Sequence, residues 1–196
     1  MAVTLVVVLV KSFEGAKTRL GPALGGGGRR ALAKRYAGVA MRAAGEGALV
    51  VTSSAEVAAM ASRHGLEAIL EAAPAGQNPA ARVGIEEALR RGASSVLLLS
   101  SDLPLVRRPV IKAMLERGAG LASPAALAAP ATGRGGTNAL FLKPPGAIGL
   151  HFGDDSLAAF ESDARSHGVG FELFEAPELA FDVDEPEDLE RLTAVG

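Results

Sequence analysis

Cysteine and tryptophan are missing from this chain altogether. The first absence removes thiolate nucleophiles, disulfides and cysteine-ligated zinc from the chemistries open to it. Aromatic residues are few: seven phenylalanines and Tyr36 make up the whole set, which argues against a surface that stacks single-stranded bases. A charge excess is lacking too. With a formal net charge of −2, no global basic field draws the chain to nucleic acid, although a local positive cleft stays open. The first apolar run, Val3 to Val10, falls short of the about 20 residues that a bilayer requires. No positive residue precedes it, as one would in a secretory signal. The expectation is a cytoplasmic protein that binds neither membrane nor nucleic acid.

What is present is the composition of an ordinary folded protein. The chain has 196 residues, 48% hydrophobic and 21% charged, so a single domain spanning 1–196 is expected. At this length a fold buries roughly 70% of the surface exposed by the unfolded chain and needs no staple. Val3 to Val10, Ala48 to Thr52 and Val96 to Ser100 are short apolar runs rich in valine and leucine, the pattern of strands covered on both faces. Between them, Arg29 to Ala44, Glu56 to His64 and Asn78 to Arg91 read as helices, with Gly65 and Gly92 where C-terminal caps belong. In the second half, Asn138 to Lys143 and Ala180 to Val183 read as strands, and Ser156 to His167 and Pro186 to Thr193 as helices. Pro186 suits a first helical turn. The expected fold is α/β, in three α/β/α layers, with a mostly parallel, partly mixed sheet.

Ligands of open α/β sheets collect beyond the carboxyl ends of the strands, which singles out four segments. "KSFEGAKTRL", Lys11 to Leu20, is a basic loop followed by four glycines, Gly25 to Gly28. Ala16, Lys17 and Thr18 fall where a P-loop has Gly-Lys-Ser/Thr, but Lys11 and Ala16 stand where its glycines belong. Lysine, arginine and glycine there can still neutralise and approach a triphosphate, or the loop is simply solvated. "SSDLP" places Asp102 at the sheet edge as a cation ligand or a turn residue before Pro104. "FDVD" presents Asp182 and Asp184 on one side if it is extended. Three such carboxylates suit magnesium. Asp184 is also placed to cap the helix at Pro186. The fourth segment is the glycine-rich "GRGGTN", Gly133 to Asn138.

"KSFEGAKTRL", "LSSDLPLV", "GGTNALFL", "HFGDDSLAAF" and "FDVDEPEDL", in this order, resemble the phospholactate/phosphoenolpyruvate guanylyltransferases of deazaflavin (factor 420) coenzyme biosynthesis, within the molybdopterin-guanylyltransferase-like nucleotidyltransferases. The resemblance spans nearly the whole chain. It implies transfer of GMP from GTP to the phosphate of phosphoenolpyruvate or 2-phospho-L-lactate, with release of pyrophosphate. By position it implies Asp102, Asp182 and Asp184 as Mg2+ ligands, and Lys17, Asp102 and Asp184 as the catalytic residues. Lys11, Lys17, Arg19 and Asn78 would meet GTP, and Thr137, Gly153 and Ser156 the acid. Ser156 also makes sense as an N-cap whose helix terminus attracts an anion. A homodimer is compatible with the family.

Two departures stand out: His151 where many members have arginine, and Gln77 in place of an apolar residue. His151 reads as a surface histidine, and Arg134 as either a carboxylate clamp or a solvated loop residue. Phosphoryl chemistry of this kind needs no histidine base, because a phosphate nucleophile is already ionised near neutral pH. Two alternatives stay open. A nucleotidyltransferase for 3-phosphoglycerate, a sugar phosphate or molybdopterin would keep the fold and the aspartates, while a non-catalytic nucleotide-binding module would be expected to have lost them.

Overall fold

A computed structural model describes residues 3–73, 76–133 and 135–195. Its elements are β1 (Thr4–Leu9), α1 (Gly26–Ala44), β2 (Leu49–Thr52), α2 (Ala55–Arg63), β3 (Glu67–Leu70), α3 (Gln77–Arg90), β4 (Ser95–Ser100), α4 (Arg108–Ala119), β5 (Ala125–Pro130), β6 (Thr137–Lys143), α5 (Ser156–Ser166), β7 (Gly170–Leu173), α6 (Pro177–Ala180) and α7 (Pro186–Val195). The strands form one seven-stranded sheet in the order β3-β2-β1-β4-β6-β5-β7. β1 pairs in parallel with β2 and β4, and β2 with β3. β6 runs antiparallel to both of its neighbours, β4 and β5, whereas β5 and β7 are parallel. The sheet is therefore mostly parallel with one reversed strand, the mixed second half expected from the sequence.

Strand alternation builds the layers. Val6 and Val8 of β1 face one core with Met41 of α1, Val57 of α2 and Met114 of α4. Leu5, Val7 and Leu9 face the other with Ile85 of α3 and Phe160 of α5. Both faces of β1 are thus dry, which is why its sequence is an unbroken apolar run. Two glycines let helices approach the sheet closely. A Cβ on Gly84 would stand 2.7 Å from Val7 Cγ1, and one on Gly118 would stand 2.7 Å from the Phe141 ring. Gly65 and Gly92, just past α2 and α3, take positive φ of 71° and 69°, the left-handed conformation that favours glycine at helix ends.

Several boundaries differ from expectation. The glycine run after the basic loop is the start of α1, with Gly25 as its N-cap, and it does not cradle the cleft. The segment Ala180 to Val183 is not a strand: α6 ends at Ala180, and residues 181–184 pair with no strand. The sheet edge beside β5 is already taken by β7. Phe181 and Val183 pack instead against Leu20 and Tyr36 in a small third apolar cluster. β3, β5, β7 and α4 carry no prediction above. No described helix is long and apolar enough to cross a membrane.

Candidate active site

The parallel strands β1, β2, β3 and β4 end on one edge of the sheet, and the reversed strand β6 begins on it. β4 Leu99 lies opposite β6 Ala139, so Ser100 to Asp102 and Thr137 come together although one segment leaves the sheet and the other enters it. Over this edge opens a cleft of about 720 Å3. Its lining includes Lys11, Lys17, Arg19 and all three predicted aspartates.

Oxygen atoms of Asp102, Asp182 and Asp184 lie within 4.8 Å of one another. Asp182 and Asp184 reach this point from a segment outside the sheet, held by Val183 in the third apolar cluster. Lys17 sits among them. Its Nζ donates to Asp102 Oδ2 at 3.0 Å and to Asp184 Oδ1 at 2.8 Å, and its side chain is 9% exposed against 31% and 34% for the two partners. Burial alone would lower the pKa of this ammonium, but the two carboxylates hold it above its ordinary value. Lys17 also takes a left-handed backbone conformation with φ 55°, uncommon for a residue with a Cβ and typical of functional sites. Leu20, fully buried in the third cluster, anchors the short helical turn Thr18–Leu20 that follows. Lys11 and Arg19 are exposed on the same rim.

The opposite side of the cleft is formed by β6 and the start of α5. Ser156 does not cap α5. The N-cap is Asp155, with φ 53° and no side-chain cap bond, and the buried Ser156 hydroxyl donates to Thr137 Oγ1 at 3.1 Å instead. Gly153 has φ 143°, backbone that a side chain would strain, and like Thr137 and Ser156 it lines the cleft. Asn78 is not among the lining residues. Its amide makes a reciprocal pair with Phe152, donating to the carbonyl at 3.0 Å and accepting from the N–H at 2.8 Å, which fixes the backbone immediately before Gly153. Gln77 faces the cleft in its place and donates to Ser100 Oγ at 3.3 Å.

His151 lies outside the lining. It bonds Asp163 Oδ2 at 2.8 Å and meets the Phe160 ring edge-on at 5.5 Å, a structural tie between α5 and the loop before it. Arg134 lies outside the described residues. Sequence reasoning did not single out Glu71 or Tyr36, both of which line the cleft. Glu71 follows β3 directly, so recognising that strand would have flagged it. Burial raises the pKa of the Glu71 carboxyl.

The open α/β sheet, with strand ends converging on clustered carboxylates and a lysine, is a fold shared with solved nucleotidyltransferases. A nucleotidyl transferase from Methanothermobacter thermautotroptrophicus shares this fold with a TM-score of 0.68, over 98% of this chain and 97% of that one, at 18% identity. Within that class the chain belongs to the guanylyl transferase CofC-like family, which matches residues 4–196. It is 40% identical over 194 residues to the phosphoenolpyruvate guanylyltransferase of Rubrobacter xylanophilus, covering 97% of this chain and 93% of that protein. To the protein of the same name from Sphaerobacter thermophilus it is 37% identical over 198 residues, covering 96% and 92%.

Proposed function

We propose that the chain transfers GMP from GTP to the phosphate of phosphoenolpyruvate, releasing pyrophosphate, as a step of deazaflavin coenzyme biosynthesis in the cytoplasm. The observation that carries this reading is the meeting of Asp102, Asp182, Asp184 and Lys17 at one point of the cleft, in a chain so similar to named phosphoenolpyruvate guanylyltransferases.

In this reading an oxygen of the acceptor phosphate forms a bond to the α-phosphorus of GTP. The bond from that phosphorus to the bridging oxygen breaks in line, and its electron pair leaves with pyrophosphate. Both reactants are anions, so charge neutralisation and alignment are the main demands on the protein. The aspartate set fits Mg2+: it is all oxygen, which that hard ion prefers, and its position already holds the positive charge of Lys17. Bound there, Mg2+ would neutralise phosphate oxygens and orient them for displacement.

Lys17, with Lys11 and Arg19, receives the triphosphate and the charge that grows on the leaving group. Thr137, Gly153 and Ser156 hold the acid on the far side. Asn78 contributes by ordering the Phe152–Gly153 backbone rather than by touching the nucleotide. No side chain has to remove a proton from the ionised nucleophile.

The test is pyrophosphate release from GTP and Mg2+ with phosphoenolpyruvate, 2-phospho-L-lactate and 3-phosphoglycerate in turn, with the enzyme that consumes the unstable product present. Release with phosphoenolpyruvate supports the reading. Release with another acid alone reassigns the acceptor, and none with any acid from folded protein removes the assignment.

A further inference from the structure

Tyr36 is the single tyrosine of the chain, and it is 1% exposed within α1. It packs with Leu20 and Val183, the residues that anchor the Lys17 loop and the Asp182–Asp184 segment, and it contributes to the cleft lining beside them. Its hydroxyl is buried without a hydrogen-bond partner among the described residues. Native proteins seldom leave such a group unpaired, because a buried donor with no acceptor is destabilising. Phenylalanine would fill the same space without that cost. Burial pushes the phenol above its ordinary pKa, against the opposing positive charges of Arg35 and Lys17, so near neutral pH the group is an uncharged donor. An uncharged donor in the lining of the same cleft as a lysine ammonium makes an incomplete anion site. The ammonium supplies charge and the hydroxyl awaits an acceptor oxygen.

We propose that the Tyr36 hydroxyl donates a hydrogen bond to a phosphate oxygen of the bound nucleoside triphosphate, in the portion that departs as pyrophosphate. This rests on the functional reading above and adds to it a phosphate contact from α1. The acceptor phosphate offers the same chemistry, but its expected partners Thr137 and Ser156 belong to β6 and α5. Tyr36 instead packs beneath the loop that carries Lys17.

Tyr36→Phe removes one oxygen and keeps the ring. Calorimetric titration of parent and variant with MgGTP, steady-state kinetics with phosphoenolpyruvate, and thermal unfolding without ligand together give the test. Affinity for MgGTP is expected to fall about tenfold, as for loss of one hydrogen bond to a charged group. KM for phosphoenolpyruvate should stay near the parent value, and the ligand-free Tm should hold or rise. A second readout comes from composition: without tryptophan, the intrinsic emission of the parent is that of Tyr36 alone. Magnesium pyrophosphate should change that emission and phosphoenolpyruvate alone should not.

Equal MgGTP affinity in the variant overturns the contact, as does a lowered Tm with unchanged affinity, which would mark a structural hydroxyl. Loss confined to the acid would also overturn it by moving the contact to the acceptor phosphate. A parent that fails to bind MgGTP sinks the functional reading together with this inference, whereas a parent that binds and a variant that binds equally sink the inference alone.

Discussion

At the scale of single residues, Lys17 and the aspartates carry opposite predictions. Asp102→Asn or Asp184→Asn keeps the side-chain volume but removes a charge that, on the proposed reading, holds the ion that neutralises phosphates. GMP transfer should fall by on the order of a thousandfold while the far-ultraviolet circular dichroism stays that of the parent. Nearly normal turnover in both would take them out of the chemistry. Lys17→Ala withdraws the ammonium that now bridges Asp102 and Asp184. Mn2+ should therefore bind the nucleotide-free variant more tightly than the parent, measured by calorimetry, while KM for GTP rises. Unchanged metal affinity would mean that the lysine does not compete for the carboxylates. Asp102 was legible in the sequence because it follows the apolar strand β4, whereas Asp182 and Asp184 were read from a strand that does not form. Asn78 was visible as a residue, but its work on the Phe152 backbone was not, since that contact joins positions far apart in the chain. Tyr36 was noted only as an aromatic, because nothing in a sequence marks an unpaired buried hydroxyl.

At the scale of elements, helix-to-sheet contact depends on missing side chains. A methyl group at position 84 would stand 2.7 Å from Val7, a residue with no exposed surface. Gly84→Ala should cost about 1–3 kcal/mol by overpacking, read as a lower urea midpoint at unchanged slope. Full stability would show that α3 can withdraw from the sheet freely. The tie between α5 and its preceding loop depends on Asp163, which accepts from Gly149 N–H at 2.6 Å and meets His151 and His167. The bond from His151 holds this carboxyl below its ordinary pKa against its own desolvation, and His167 is raised, first through the Asp163 backbone. The Asp163 contribution is thus complete above the ordinary carboxylate pKa of about 3.9 and lost as pH falls through the lowered value. That of the exposed His167 is complete below about 6.5 and lost as pH rises through the raised one. Asp163→Asn should accordingly cost the most stability near pH 5–6, roughly 1 kcal/mol, and less at pH 3 or pH 8. A difference in Tm that ignores pH would remove the ionic part of this tie. The strands missed in the sequence share a physical cause. β5 is largely alanine, which has little intrinsic preference for a strand, and it is extended because β6 and β7 pair with it. β3 and β7 are short edge strands with exposed positions, so the apolar run that betrays a central strand is absent. The Phe181–Val183 segment misled for the converse reason: Val183 is buried and Phe181 partly buried, but in a satellite cluster.

In the whole molecule, chemistry and stability are separable. The two large cores account for the fold without the cleft, so EDTA should abolish pyrophosphate release and leave the circular dichroism unchanged, with activity returning on added Mg2+. Turnover that survives chelation would exclude a divalent ion from the reaction, and unfolding on chelation would make the ion structural. The layered architecture and the sheet's mostly parallel character were legible because both follow from alternating apolar runs and helices, whereas the position of the reversed strand β6 was not, since pairing between β4 and β6 joins segments 40 or so residues apart, a separation no local pattern records. That reversal divides the cleft into two sides of opposite strand direction. Thr137, at the start of the reversed strand β6, bonds to Ser156 at the start of α5, while Lys17 and Asp102 follow strands that end at this edge. On the proposed reading, changes in the stretch from β6 to α5 can therefore alter which acid is accepted and leave the triphosphate side of the cleft as it is.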